Sequence, residues 1–155
     1  MTHASSRVCA LRSVALNVPD LAAAEHFYTS IWHLEVAART DGAIYLRGTG
    51  ADHHLLALHQ AAGDAQIRHV TLRARDAAAL DAVAHAAVQA GGHVLQAQAP
   101  VTEPGGGVAV TVADPDGRIF QLVHGDAQHT DAHESKDKPI RLAHAVLNSH
   151  HVEDT

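Results

Sequence analysis

Residues 11–18 alternate or run apolar and stop at Pro19-Asp20, which predicts a strand followed by a helix N-cap, since Asp accepts from the exposed first-turn amides. After the cap, Ala24, Phe27, Tyr28 and Ile31 recur at i, i+3, i+4 and i+7, the stripe of an amphipathic helix. Three short strands are predicted next, over 34–39, 43–47 and 54–59, separated by Asp41-Gly42 and Gly48-Thr49-Gly50, both turn-forming sequences. The unit reads βαβββ.

The same order then returns. A strand is predicted over 67–74, Asp76 caps a helix whose stripe is Leu80, Val83, Ala84, Ala87 and Val88, and Gly91-Gly92 provides its left-handed stop. Strands over 93–98, 107–113 and 118–124 follow, with turns at Pro104-Gly105-Gly106 and Asp114-Pro115-Asp116-Gly117. The opening phrases match as well: Leu11-Arg12-Ser13-Val14-Ala15-Leu16 recurs as Ile67-Arg68-His69-Val70-Thr71-Leu72. Leu142-Ala143-His144-Ala145-Val146-Leu147 begins a third copy. A repeat of this size means that one supersecondary unit was copied, so a site between copies is read together with the fold.

Four segments are therefore expected. Residues 1–10 are a flexible N-terminal tail, 11–124 a pair of modules (11–60 and 67–124), 125–139 a polar, solvated linker, and 140–155 the opening strand of an incomplete third module. An apolar strand lacking its helix exposes backbone groups and an uncovered face, so self-association or a frayed carboxyl end is expected.

Composition narrows the function. Apolar residues make up 46% of the 155 but aromatics only 3%, so Ala, Val and Leu must fill the core. With 11 Lys+Arg against 17 Asp+Glu the formal charge is −6, and no basic cluster could follow a phosphate backbone, so nucleic acid is an unsuitable partner. Cys9 stands alone, which rules out an intramolecular disulfide and suits a cytoplasmic setting. Residues 82–102 carry no charge, yet Gly91-Gly92, His93 and three Gln interrupt them, so no membrane span is expected. Fifteen His invite a metal, but pairs such as His53-His54 and His150-His151 read more simply as solvated surface imidazoles.

Two βαβββ units, the second opening on His-Val-x-Leu and ending on a hairpin with Asp-Pro-Asp-Gly, resemble the vicinal oxygen chelate superfamily, which holds glyoxalase I, bleomycin-resistance proteins and type I extradiol ring-cleavage dioxygenases. Phe27-Tyr28-Thr29-Ser30-Ile31-Trp32-His33-Leu34-Glu35 is similar to the dioxygenase phrase Phe-Tyr-x-x-x-Trp-Gly-Leu-Glu, and Val112-Ala113-Asp114-Pro115-Asp116-Gly117-Arg118 to the terminal hairpin. His33 stands where that phrase has Gly, at a position expected to need φ > 0. The resemblance implies an α+β fold in which the paired modules curl a mixed sheet into a cleft. It also implies four metal-ligand positions on the first and last strands of the modules.

Those positions fall at Ser13, near Ala57, at His69 and at Gln121. Only His69 is a strong donor, so the pair 11–124 is expected to bind no metal, with Ser13, His69 and Gln121 as candidate cleft contacts. In extradiol enzymes, the resemblance implies, a metal-free first pair precedes a second that holds the iron, and His144 matches its first ligand. Fe²⁺ (or Mn²⁺) would then be the cofactor of the complete enzyme, held by a 2-His-1-carboxylate set that leaves positions for a catechol and O₂. This chain alone would be inactive. The alternatives are a metal-free protein that sequesters an antibiotic or another small aromatic molecule, and a glyoxalase-like lyase.

Overall fold

The computed structural model describes residues 6–149. Its elements run β1 (Val8–Val18), α1 (Leu21–Ser30), β2 (Glu35–Thr40), β3 (Ala43–Arg47), β4 (Leu56–Gln60), β5 (Gln66–Ala74), α2 (Ala77–Gln89), β6 (His93–Pro100), β7 (Val108–Ala113) and β8 (Ile119–His124). This is the expected pair of βαβββ units. All the strands join one mixed sheet of order β2-β3-β4-β1-β5-β8-β7-β6, in which β1 pairs with β4, and β5 with β8, in parallel.

Both helix starts follow the sequence. Asp20 accepts from the Ala23 amide at 2.9 Å and Asp76 from the Ala79 amide at 2.8 Å, each satisfying a first-turn donor. The expected positive φ falls at His33, with φ of 57°. The stripe of α1 is shifted: Leu21, Ala24 and Tyr28 pack on Val18, Leu34, Leu46 and Leu58, whereas Phe27 and Ile31 are exposed. The α2 stripe packs on Val110, Val112 and Leu122 through Leu80, Val83, Ala84 and Ala87, but Val88 is exposed.

The two modules meet through β1 and β5, antiparallel, with Val14 opposite Val70. Ser13 pairs with Thr71 and Ala15 with His69, so residues equivalent in the repeat exchange places across the Val14–Val70 pair. That is a local two-fold axis, and it is what places the two halves of one site on one face.

Three sequence expectations are corrected. Residues 8–10 belong to β1, not to a flexible tail, because Val8 and Ala10 pair with Ala74 and Arg73. The start of the 125–139 segment is not a solvated linker: the Ala127 amide donates to the Gly105 carbonyl at 2.8 Å and the His129 amide to the Ala51 carbonyl at 2.8 Å. The third-copy phrase forms no strand within the described residues 140–149. Its backbone joins neither open edge of the sheet, β2 or β6.

Residues 139–149 instead lie against both modules. The Thr49 and Gly50 amides donate to the carbonyls of Pro139 (2.8 Å) and Ile140 (3.1 Å), and Leu142 enters the α1-side core. At the far end Arg118 donates to the Asn148 carbonyl at 2.8 Å. Glycine at position 50 permits this approach, since a Cβ there would stand 2.6 Å from the Ile140 carbonyl oxygen. Among the described residues no helix is long and apolar enough to cross a membrane.

Candidate functional site

In-register neighbours of a sheet share a face, so two rows of side chains can be followed across the strands opposite the helices. One row runs Ala38–Tyr45–Ala57–Ala15–His69 and the other Gln96–Thr111–Gln121–Thr71–Ser13. The local two-fold axis exchanges them. All four positions implied by the resemblance, Ser13, Ala57, His69 and Gln121, therefore lie on one face in adjacent rows. The rows also pair Tyr45 of the first module with Thr111 of the second.

That exchange decides what each half contains. In the first module Tyr45 is 1% exposed and packs with Ala15, Ala43 and Ala57, so its ring occupies the space above the Ala57 position. Burial pushes the Tyr45 phenol above its ordinary pKa, so it stays neutral.

Beside it lies a buried charge network. Arg12 donates to Asp126 Oδ2 through Nε at 3.2 Å and to Ser13 Oγ at 3.0 Å, and its guanidinium stands 2.7 Å from His54 Nε2. Arg73 grips the same carboxylate with two hydrogen bonds, at 3.0 and 2.7 Å, and reaches Asp52 at 3.0 Å. Burial alone would raise the Asp126 pKa, but the two guanidiniums outweigh it and hold the carboxyl below its usual range. Arg12 is lowered by burial against the pull of Asp126, and Arg73 is raised by its bonds to Asp126.

The network fixes two tautomers. A guanidinium only donates, so His54 Nε2 must accept; its Nδ1 then carries the proton and donates to His53 Nδ1, 2.9 Å away. Burial, reinforced by Arg12, pushes His54 down to about 2. The pair expected as solvated surface imidazoles is therefore part of the interior, His54 being 3% exposed.

The second module's half is open. With Thr111 in the place of a tyrosine, a cavity of about 530 Å³ remains, lined by Asn17, Arg68, His69, Gln96, Glu103 and Gln121 among others. A smaller one of about 140 Å³ adjoins it and shares Gln96, Glu103, Thr111 and Gln121. Burial and the nearby Arg68 push His69 down to about 4, so its imidazole is neutral at pH 7, and it makes no side-chain hydrogen bond among the described residues. Gln121 accepts from Thr71 Oγ1 at 3.4 Å through Oε1, which leaves its NH₂ free to donate. Outside the lining, on β4, His59 Nε2 is buried with no partner among the described residues.

This donor set does not fit a divalent cation. Ala57 offers no donor atom, Ser13 Oγ is already bonded to a guanidinium whose charge repels a cation, and Gln121 is a neutral amide. Among the described residues no three His, Cys, Asp or Glu side chains are grouped so as to hold a metal ion. His144 lies apart from both rows, exposed on the 139–149 segment.

Of the candidate contacts read from the sequence, His69 and Gln121 line the cavity and Ser13 is buried against Arg12, while Arg12, His54, Arg73 and Asp126 are not among them. A partial signal existed for the first: Arg12 and Arg68 hold the same place in the repeated phrase. Arg12's distant partners, Asp126 and His54, come from connections with no periodicity, so only the folded chain brings them together.

The family model described as the Glyoxalase/Bleomycin resistance protein/Dioxygenase superfamily matches residues 10–122. The solved Mn(II)-bound glyoxalase from Novosphingobium aromaticivorans is 28% identical and superposes with a TM-score of 0.90, over 96% of this chain and 50% of that one. The H200N variant of homoprotocatechuate 2,3-dioxygenase from B. fuscum, solved in complex with HPCA, is 24% identical with a TM-score of 0.78, over 88% of this chain and 39% of that one, a likeness of fold. The chain thus spans half or less of the length of these solved proteins. A comparison with curated protein sequences finds no match.

Proposed function

Because the chain belongs to the glyoxalase/bleomycin resistance protein/dioxygenase superfamily, we propose that residues 11–124 are a non-catalytic module pair of an extradiol-dioxygenase-like protein, whose ring-cleaving chemistry on catechols resides elsewhere in the complete enzyme. One observation carries this reading: of the four positions facing the cleft, one lacks a donor beneath Tyr45, one is bonded to Arg12, one is an amide, and only His69 is a strong ligand. A cation held by one imidazole and one amide would be lost to water and buffer. The lengths of the solved relatives support it too, since each is at least twice as long as the stretch this chain covers.

In this reading His144 is the first ligand of a second, metal-holding pair, and Fe²⁺ or Mn²⁺ is the cation. Its exposure leaves the imidazole open to partners beyond the described residues. A second reading, a metal-free binder of small molecules, is favoured by the open cavity beside His69.

Elemental analysis and a catechol ring-cleavage assay on the purified 155-residue chain test the proposal. Less than about a tenth of a metal ion per chain and no turnover with added Fe²⁺ or Mn²⁺ are expected. Stoichiometric iron or manganese that disappears in His69→Ala, together with ring cleavage, would overturn it.

A further inference from the structure

The cavity beside His69 holds two opposite charges that do not meet each other. Arg68 reaches only the side-chain oxygen of Asn17, at 3.3 Å, and forms no ion pair among the described residues. Glu103, in the connection between β6 and β7, lines the same cavity and likewise forms no ion pair among the described residues. Both line the one cavity, and each is felt by Tyr45 and His59 nearby, Glu103 raising their pKa and Arg68 lowering it. The same lining holds uncharged groups with unused hydrogen-bonding capacity, the His69 imidazole and the Gln121 NH₂.

This arrangement selects a ligand class. A monoanion bound at Arg68 would face Glu103 and a monocation at Glu103 would face Arg68, so each gains at one end and loses at the other. A neutral solute would displace water from both charges and pair neither. A flat aromatic would find no Phe, Tyr or Trp in the lining to stack on. A ligand carrying a carboxylate and an ammonium some ångströms apart satisfies both ends, with polar groups left over to meet the lining.

The geometry points to the second-module half-cleft as a binding site for a small dipolar molecule of the amino-acid or short-peptide class. Arg68 takes its carboxylate, Glu103 its ammonium, and His69 and Gln121 the groups between. The volume, about 530 Å³, suits a ligand of a few residues. This inference rests on the metal-free reading of the cleft.

The test titrates the full chain, in EDTA, with glycine, diglycine and triglycine, following the His69 imidazole resonances by NMR. The longest peptide that saturates is then compared with its N-acetyl and C-amide forms. Blocking either end is expected to weaken binding at least tenfold. Arg68→Gln should abolish the preference for the free carboxylate while keeping that for the free amine, and Glu103→Gln should do the converse. Both positions are at the rim of an open cavity, so the variants keep the fold, which circular dichroism checks. Blocked and free peptides binding alike, catechol saturating the site as well as the peptide does, or no saturable shift in the tens of millimolar would each overturn the inference. Peptide binding that appears only with added Mn²⁺ or Fe²⁺ would overturn it along with the metal-free reading. A metal-free chain that ignores all the peptides sinks the dipolar ligand alone.

Discussion

Arg12 and Arg68 hold the same place in two copies of one phrase, and the fold uses them in opposite ways. Arg12 is buried among Asp126, Ser13 and His54, its charge spent on holding turns together. Arg68 stands at the rim of a cavity with its charge unpaired by any carboxylate among the described residues. The repeated strand is the same in both; the difference comes from what the sheet places above it. Tyr45 fills one row where Thr111 leaves the other open, and Asp126, past the end of β8, pairs with Arg12 and Arg73 but not with Arg68. A duplicated scaffold can therefore turn one half of a cleft into core and keep the other as a site by changing a few side chains.

The sharpest way to break this comparison is to remove the carboxylate that pairs with Arg12. Asp126→Ala leaves Arg12 buried without its counter-charge, and we expect a loss of about 3–5 kcal/mol in denaturant unfolding, whereas Glu103→Ala on the open side should change stability by less than about 0.5 kcal/mol. An equal effect of the two would mean that the halves do not differ as described. Tyr45→Ala comes next, at about 3 kcal/mol, because it opens a cavity in a well-packed half.

Acid gives a third comparison. The His54 pKa is depressed in the fold, so the unfolded chain binds a proton that the folded one does not, and stability present above pH 6.5 is lost as pH falls toward 2. The slope expected from His54 is about 1.4 kcal/mol per pH unit between roughly pH 6 and 3. His69 adds to it only down to about 4. Urea melts across that range should flatten in His54→Phe, a variant that also frees Arg12, and an unchanged slope would refute the assignment. Smaller than these is Gln121→Ala, expected within about 1 kcal/mol because its amide faces the open side, and calorimetry would detect a larger cost.

Much of the architecture was legible in the chain. Asp20 and Asp76 cap where side-chain chemistry says they should, and His33 takes the positive φ that the surrounding phrase demands. Register came through as well, because the repeat itself equates Ser13 with His69 and the strands honour that equation. The α1 stripe was misread because periodicity locates a face without saying how wide the contact is: the sheet takes Leu21, Ala24 and Tyr28 and leaves Phe27 and Ile31 out. The buried network was not legible, since Asp126 and His54 sit in turns, where polar residues are read as solvated unless their partners are known. The phrase around His144 shows the reverse error, a strand pattern whose Leu142 packs on the α1-side core while its backbone joins no ladder.

The attachments of residues 139–149 also have a mechanical meaning. A pull along this segment from its far end would first meet the bonds of Ser149 to Asp116 and of Arg118 to Asn148, then the Leu142 anchor, and after it the two amides of Thr49 and Gly50. Such a series yields one clasp at a time, like a zip, and the second module would be let go before the first.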